Sequence, residues 1–151
     1  MTVHFLEDLR PGQRFQTGRR SLDLAAIQAF AREYDPQPFH TDPVAAKDTV
    51  FGELVASGWH TMAITMRLIV DGEAQLAWGF AGAGVEGVEW PQPVRPGDTL
   101  RCESEIVAVR PSKSKPDRGL AMIRTTTYNQ RDEPVLTFVA KIIVPRRPAG
   151  A

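Results

Sequence analysis

Residues 54–70 read LVASGWHTMAITMRLIV and form the most apolar long stretch of the chain. The stretch also contains His60, Arg67 and several small polar residues, which are disfavoured in a span through a lipid bilayer. We therefore predict a buried core helix from about Gly58 to Val70, with Ser57 as its N-cap. No membrane partner is expected for a chain with this pattern.

The sequence downstream of this helix is patterned as β-strands. Four segments are rich in Val, Ile, Thr and aromatic residues and are separated by turn-forming Pro, Gly, Asn and Asp. A further strand is expected near the N-terminus. The predicted strands are residues 13–19, 77–89, 98–109, 120–129 and 134–144. One long buried helix and a run of antiparallel strands predict an α+β domain whose sheet wraps around the helix.

A shorter helix is predicted upstream of the long one. Apolar residues recur at helical spacing at Leu24, Ile27, Phe30 and Ala31. Ser21 or Asp23 is suited to cap its start. Its end is expected near Tyr34, because Pro36 disfavours helical geometry in the residue before it.

The six residues from Asp35 to His40 are predicted to form a stiff, extended turn. They read DPQPFH, and Pro38 is expected to prevent the helix from restarting. A second short helix is predicted at about Pro43–Lys47, with Asp42 as its cap.

The overall composition is that of an ordinary globular protein. A length of 151 residues suits one domain, residues 1–151, with a single core. Eighteen Lys and Arg balance eighteen Asp and Glu, so no strong electrostatic field attracts the protein to nucleic acid or to a membrane surface. A net charge near zero also permits self-association. Cys102 is the single cysteine, so an intramolecular disulfide and a thiolate zinc site are excluded. We predict that Cys102 is a small buried hydrophobic residue in a strand.

The N-terminal residues bear on the cellular compartment, and the positions of the histidines bear on metal binding. Glu7, Asp8 and Arg10 stand where a signal peptide would need an apolar segment, so a cytoplasmic protein is expected. The three histidines lie at positions 4, 40 and 60, which is not the spacing of metal ligands. No metal site is predicted.

Asp35 and His40 are candidates for acid–base chemistry. Two prolines separate them and hold the backbone in a fixed geometry at low entropic cost. A carboxylate and an imidazole together can bind one water and move two protons, as the hydration of a double bond requires. From the residues alone, structural roles are favoured for both: an Asx-turn at Asp35, and capping of the following helix by His40.

The start of the long helix is a candidate site for an oxyanion. Ser57 and Gly58 precede it, and the free N–H groups of a helix N-terminus can polarise a thioester carbonyl. The glycine would let a ligand approach the backbone closely. An ordinary N-cap serine followed by glycine explains the same residues. His60 lies within the predicted core helix, where a hydrogen-bonded structural histidine is expected. The basic loop Arg110–Arg118 is predicted to be a solvated loop. A site for CoA phosphates is the less favoured interpretation of this loop.

The motifs together resemble the MaoC-like (R)-specific enoyl-CoA hydratases. The hydratase motif of that family reads D-x-N-P-x-H, followed by a D, an A, an F and a helix-opening H-G. The matching residues here are Asp35, Pro38, His40, Asp42, Ala46, Phe51 and Gly58. The turn Val94-Arg95-Pro96-Gly97-Asp98 also matches the V-x-x-G-D pattern of the family.

The resemblance implies a hot-dog fold, in which an antiparallel sheet wraps a long central helix, generally in a dimer. It implies that Asp35 and His40 are catalytic and that the Gly58 N–H holds the thioester oxygen. The implied reaction is reversible hydration of a trans-2-enoyl-CoA to an (R)-3-hydroxyacyl-CoA, without metal or redox cofactor. The expected partners are the acyl-CoA substrate and a second copy of the chain.

The chain departs from the family pattern at two positions. Gln37 replaces the usual Asn, and Ser57 replaces the usual His before Gly58. Neither change removes a catalytic group, so they bear on substrate identity more than on reaction type. The residues predicted to contact substrate are Gln37, Pro38, Phe51, Ser57 and Trp59.

Two other functions fit the fold that the resemblance implies. A hot-dog thioesterase would place a carboxylate on or near the central helix, but residues 59–70 contain no Asp or Glu, and only Glu53 keeps this function open. A non-catalytic acyl-CoA-binding or dimerisation module is the other alternative. The presence of both Asp35 and His40 argues against it.

Overall fold

The structure is a computed structural model that describes residues 2–150. Seven strands, three α-helices and two 3-10 turns lie within these residues. The strands are β1 (Val3–His4), β2 (Arg14–Ser21), β3 (Gln75–Leu76), β4 (Ala81–Glu89), β5 (Thr99–Pro111), β6 (Arg118–Tyr128) and β7 (Pro134–Pro145). The helices are α1 (Leu24–Tyr34), α2 (Pro38–Thr41) and α3 (Gly58–Asp71), and the 3-10 turns are Leu6–Asp8 and Ala45–Asp48.

Five strands form one antiparallel sheet in the order β2-β5-β6-β7-β4, and α3 packs against it. Ile64 and Leu68 of α3 share a buried cluster with Leu100 and Cys102 of β5 and with Val135 of β7. Burial of these apolar side chains between helix and sheet is the main driving force for this arrangement. The predicted α+β class is confirmed, and Cys102 is buried in the core.

The strand predicted at residues 77–89 begins later, at Ala81. A turn precedes this strand. Gly79 has a positive φ of 71°, and its N–H donates to the Leu76 carbonyl oxygen over 2.8 Å. Residues 75–76 pair instead with the N-terminal β1 in a separate two-stranded sheet. The other four predicted strands match the observed ones to within two residues at either end.

The prediction that residues 35–40 form one extended turn is wrong in its second half. Asp35 and Gln37 are non-helical, as expected, but Pro38 begins the short helix α2. Proline is tolerated at a first helical position, because no intrahelical N–H is needed there and its φ is already helical. The helix predicted at Pro43–Lys47 is instead the 3-10 turn Ala45–Asp48.

The Val94–Asp98 motif is a structural turn that leads into β5. Gly97 has a φ of 90°, a conformation that favours glycine. The buried Asp98 carboxylate accepts hydrogen bonds from the Arg95 backbone N–H at 2.9 Å and from Gln130 Nε2 at 2.8 Å. Within residues 2–150, no helix is both long and apolar enough to cross a lipid bilayer.

Candidate active site

The chain brings Asp35 and His40 into direct contact. Helix α1 ends at Tyr34, so Asp35 is its C-cap, and His40 lies in the single turn of α2. Asp35 Oδ2 lies 3.2 Å from His40 Nε2, and the two side chains are 15% and 7% exposed. The turn between them places a carboxylate beside an imidazole where only a small part of each meets solvent.

The orientation of His40 is set by the segment that precedes α3. His40 Nδ1 lies 2.7 Å from the Val55 carbonyl oxygen. A carbonyl only accepts hydrogen bonds, so Nδ1 carries a proton and donates. The other ring nitrogen, Nε2, is therefore the one that faces Asp35 and that can exchange a proton with a ligand. His40 does not cap the following turn; the Asp42 carboxylate does so, through the N–H groups of Val44 and Ala45.

The Asp35 carboxylate receives two hydrogen bonds from neighbouring side chains. Gln37 Nε2 donates to Oδ1 at 2.5 Å, and Ser57 Oγ donates to Oδ2 at 2.7 Å. Burial opposes ionisation of the carboxyl group, but these two hydrogen bonds and the adjacent His40 outweigh it and lower the pKa of Asp35. Asp35 is therefore a carboxylate at neutral pH.

The start of α3 leaves one backbone donor free. Ser57 Oγ accepts from the Trp59 N–H at 3.3 Å, and the Ser57 carbonyl accepts from the N–H groups of His60 and Thr61 at 3.0 and 3.1 Å. No acceptor within residues 2–150 bonds the Gly58 N–H. A free N–H at the positive end of a helix dipole is suited to bind an anion or a polarised carbonyl oxygen.

A cavity of about 450 Å³ contains the Asp35–His40 pair and the start of α3. Its lining residues are Asp35, His40, Phe51, Val55, Ala56, Gly58, Trp59, Thr61, Trp90, Pro91, Gln92, Pro93, Val94 and Val135. This volume is within the range of small-molecule sites. Most of the lining residues are apolar, and the polar side chains among them include those of Asp35, His40, Thr61 and Gln92.

Only some of the residues that were predicted to contact substrate line the cavity. Phe51 and Trp59 line the cavity, whereas Gln37, Pro38 and Ser57 do not. Ser57 has no exposed surface, and with Gln37 it holds the Asp35 carboxylate. The departures from the family motif therefore lie behind the acid–base pair and are not part of the cavity wall.

Sequence reasoning missed the wall formed by Trp90 to Val94. These residues read WPQPV; a turn was predicted from Pro91 onward, and no role in a site was predicted for any of the five. A tryptophan beside two prolines, immediately before the V-x-x-G-D turn, was the available signal. The Val94 carbonyl accepts from the Ala56 N–H at 2.8 Å, which holds the segment beside the start of α3.

Other candidate residues lie outside this cavity. Glu53 does not line it and forms an ion pair with Arg95. The turn of the basic loop, residues 112–117, joins β5 and β6 at the end of the sheet opposite to Val135. Within residues 2–150, no group of three or more His, Cys, Asp or Glu side chains could hold a metal ion.

His60 does not line the cavity and stacks on Phe30, with ring centroids 4.5 Å apart and planes 4° from parallel. Its Nδ1 is buried and has no hydrogen-bond partner within the described residues, contrary to the expectation of a hydrogen-bonded histidine. Burial and the charge of Arg20 lower the pKa of His60, so the ring is neutral at neutral pH.

The family follows from comparison with known proteins. A family model described as a MaoC like domain matches residues 7–128. The chain belongs to the MaoC-like dehydratase family. A MaoC-like dehydratase from Rhodospirillum rubrum is 53% identical in a structural alignment that covers 96% of this chain and 99% of that one, with a TM-score of 0.93.

Two further relatives have hydratase names. An (R)-hydratase from A. caviae involved in PHA biosynthesis is 25% identical, with a TM-score of 0.70 over 94% of this chain and 99% of that chain. The mesaconyl-CoA hydratase of Cereibacter sphaeroides is 37% identical over 128 residues, or 85% of this chain. The match spans 32% of the length of that protein. The predicted hot-dog fold is confirmed by these structural neighbours.

The hydrogen bond from Ser57 to Asp35 predicts a change in pH dependence. In Ser57→Ala, loss of this bond should raise the pKa of Asp35, so the carboxylate should be protonated at a higher pH as the solution is acidified. We expect the acid limb of the kcat/KM profile for hydration to move to higher pH. At neutral pH, kcat should fall by no more than about tenfold, because both acid–base groups remain.

A matched control is Ser112→Ala, which also removes a hydroxyl that accepts from a backbone N–H, here that of Lys115 in the distant hairpin. Its pH profile should be that of the unmodified protein. An unchanged acid limb in Ser57→Ala would show that this hydroxyl does not control the ionisation of Asp35.

Proposed function

We propose that this protein catalyses the reversible hydration of a trans-2-enoyl-CoA to an (R)-3-hydroxyacyl-CoA. The observation that carries the proposal is that one cavity is lined both by the Asp35–His40 pair and by Gly58, whose N–H has no acceptor among residues 2–150. The pair supplies a base and an acid, and the N–H supplies a site for the thioester oxygen. Membership of the MaoC-like dehydratase family supports the same reaction class.

Each group has a distinct role in the proposed reaction. The thioester oxygen accepts a hydrogen bond from the Gly58 N–H, which stabilises negative charge as the enolate forms. The Asp35 carboxylate takes a proton from water while the water oxygen bonds to the β-carbon. His40, protonated on Nε2, delivers its proton to the α-carbon. Transfer of the new proton from Asp35 to His40, over the observed 3.2 Å, restores the starting state.

The proposed reaction adds one water and changes no net oxidation state. We therefore propose that it uses no redox cofactor. Because the Gly58 N–H can polarise the thioester oxygen, we also propose that no metal is needed and that CoA enters only as part of the substrate. Dialysis against a chelator should leave the hydration rate unchanged. A rate that falls and returns on adding a divalent cation would contradict this part of the proposal.

The central experiment follows a trans-2-enoyl-CoA and free CoA in the same reaction. The purified protein should remove the absorbance of the conjugated double bond and yield the (R)-3-hydroxyacyl-CoA, with no release of thiol. Release of free CoA from a saturated acyl-CoA would instead support the thioesterase function. The ion pair of Glu53 with Arg95, outside the cavity, argues against Glu53 as a thioesterase carboxylate.

The acyl group is best identified with a panel of thioesters. The named relatives include a mesaconyl-CoA hydratase and an (R)-hydratase, so linear, branched and carboxylated enoyl-CoAs all belong in the panel. The largely apolar walls formed by Phe51, Trp59 and Val135 favour an uncharged acyl group. We expect kcat/KM to be lowest for thioesters with a second carboxylate.

We also propose that the functional unit is a homodimer. Strand β4 lies at an edge of the sheet, and apolar side chains are exposed at Val85 on this strand and at Trp59 and Met66 on α3. Unpaired strand edges and exposed apolar surface favour association. Light scattering after size exclusion should give twice the mass of one chain, and a monomer mass at micromolar concentration would contradict the proposal.

A further inference from the structure

Trp90 makes a specific contact with the first residue of α3. Its indole Nε1–H donates to the Gly58 carbonyl oxygen over 3.1 Å. The residue follows β4 directly, and Pro91 and Pro93 stiffen the segment that continues from it. A rigid segment of the cavity wall is thus bonded to the peptide next to the free Gly58 N–H.

The indole also fills the space that a side chain at position 58 would need. A Cβ at Gly58 would lie 2.6, 2.7 and 2.9 Å from three atoms of the Trp90 indole, closer than such contacts allow. The ring of Trp59 meets the Trp90 ring edge-on, with centroids 5.7 Å apart, and both rings line the cavity. The absence of a side chain at position 58 therefore has a reason within the protein: it lets Trp90 pack on the helix start.

We propose that Trp90 is a positioning residue that holds the first turn of α3, and with it the Gly58 N–H, in place for the thioester oxygen. This inference rests on the proposed hydratase function. Helix ends fray unless they are tied down, and small displacements of an oxyanion donor are costly for catalysis. The hydrogen bond to the Gly58 carbonyl and the packing of the indole on its Cα restrain the two peptide groups of the glycine.

The first test uses two substitutions at Trp90. Trp90→Phe keeps an aromatic ring but loses the N–H, and Trp90→Leu loses most of the ring. We expect kcat for enoyl-CoA hydration to fall about tenfold in the first and about a hundredfold in the second, with KM changed less than about threefold. A substrate contact alone would raise KM and leave kcat unchanged, and that result would overturn the inference.

The second test asks whether Gly58 and Trp90 act together. Gly58→Ala should lower kcat by about a hundredfold, because the new methyl group displaces the indole. In the double variant Gly58→Ala/Trp90→Leu the clash is removed, so the combined loss should be smaller than the product of the two single losses. Losses that multiply would show that the two residues act independently and would overturn the inference.

The control is Trp78→Phe. Trp78 is 48% exposed, close to the 43% of Trp90, but it stacks under Arg118 and does not line the cavity. Its kcat and KM should equal those of the unmodified protein. Thermal unfolding identifies any variant that fails to fold, and Trp90→Phe, which preserves the aromatic packing, keeps the inference testable if Gly58→Ala does not fold.

The inference and the proposed function fail in different ways. An unmodified protein that hydrates no enoyl-CoA overturns the proposed function. An active unmodified protein whose Trp90→Phe and Trp90→Leu variants turn over normally overturns only the role of Trp90.

Discussion

Asp35→Asn and His40→Ala should each lower kcat for hydration of a trans-2-enoyl-CoA by about 10²–10⁴-fold. Asparagine keeps the shape of the Asp35 side chain and can still accept the Ser57 hydrogen bond, but it cannot take a proton from water. Alanine at position 40 removes the Nε2 that lies 3.2 Å from Asp35. Because the two groups work as one unit, the kcat of the double variant should be only slightly below that of the less active single variant.

The measurement is steady-state turnover with the best thioester of the panel, with thermal unfolding to show that each variant is folded. Asp48→Asn is a matched control, because Asp48 is exposed and does not line the cavity. It should turn over normally. Normal turnover in Asp35→Asn or His40→Ala would overturn the assignment of the acid–base pair, whatever reaction the protein catalyses.

Leu100→Ala should lower the free energy of unfolding by about 2–5 kcal/mol. The Leu100 side chain of β5 is fully buried and belongs to the same cluster as Ile27 of α1 and Leu68 of α3. Truncation leaves a cavity where the sheet and both helices meet, so packing contacts are lost on every side. Ile27 lies in α1 and Asp35 is the C-cap of the same helix. The loss of packing around Ile27 should therefore also loosen the acid–base pair.

Urea unfolding followed by circular dichroism, at one fixed protein concentration, measures this effect. Val50→Ala removes two methyl groups from a side chain that is 90% exposed, and its unfolding free energy should change by less than about 0.5 kcal/mol. Equal losses in the two variants would show that the Leu100 cluster does not carry the stability that its burial indicates.

Most of the secondary structure could be predicted from local sequence. The end of α1 at Tyr34 follows from Pro36, and the start of α3 at Gly58 follows from a serine cap before an apolar run. Local rules failed where a residue has two permitted roles. Pro38 can end a helix or begin one, and the sequence around it does not distinguish the two.

The acid–base pair was also visible in the sequence, because Asp35 and His40 are near neighbours in a motif that resembles the hydratase family. Their contact at 3.2 Å was not, since it depends on α2 and on the Val55 carbonyl that orients the imidazole. The resemblance was needed to favour a catalytic role over a structural one. The geometry adds the reason that His40 Nε2 is the available nitrogen.

The sequence by itself determined the α+β class, the approximate positions of α1, α3 and the five strands of the large sheet, and the candidates Asp35, His40 and Gly58, since all of these depend on residues close together in the chain. Only the tertiary structure decided what surrounds the candidates. Ser57 contacts Asp35 across 22 residues, and Trp90 contacts Gly58 across 32. Such contacts arise when the end of α1 and the segment after β4 pack against the start of α3, and no local spacing records them. The same packing makes Ser57 a support of the carboxylate and not part of the pocket, and it leaves the Gly58 N–H without a hydrogen-bond acceptor among residues 2–150.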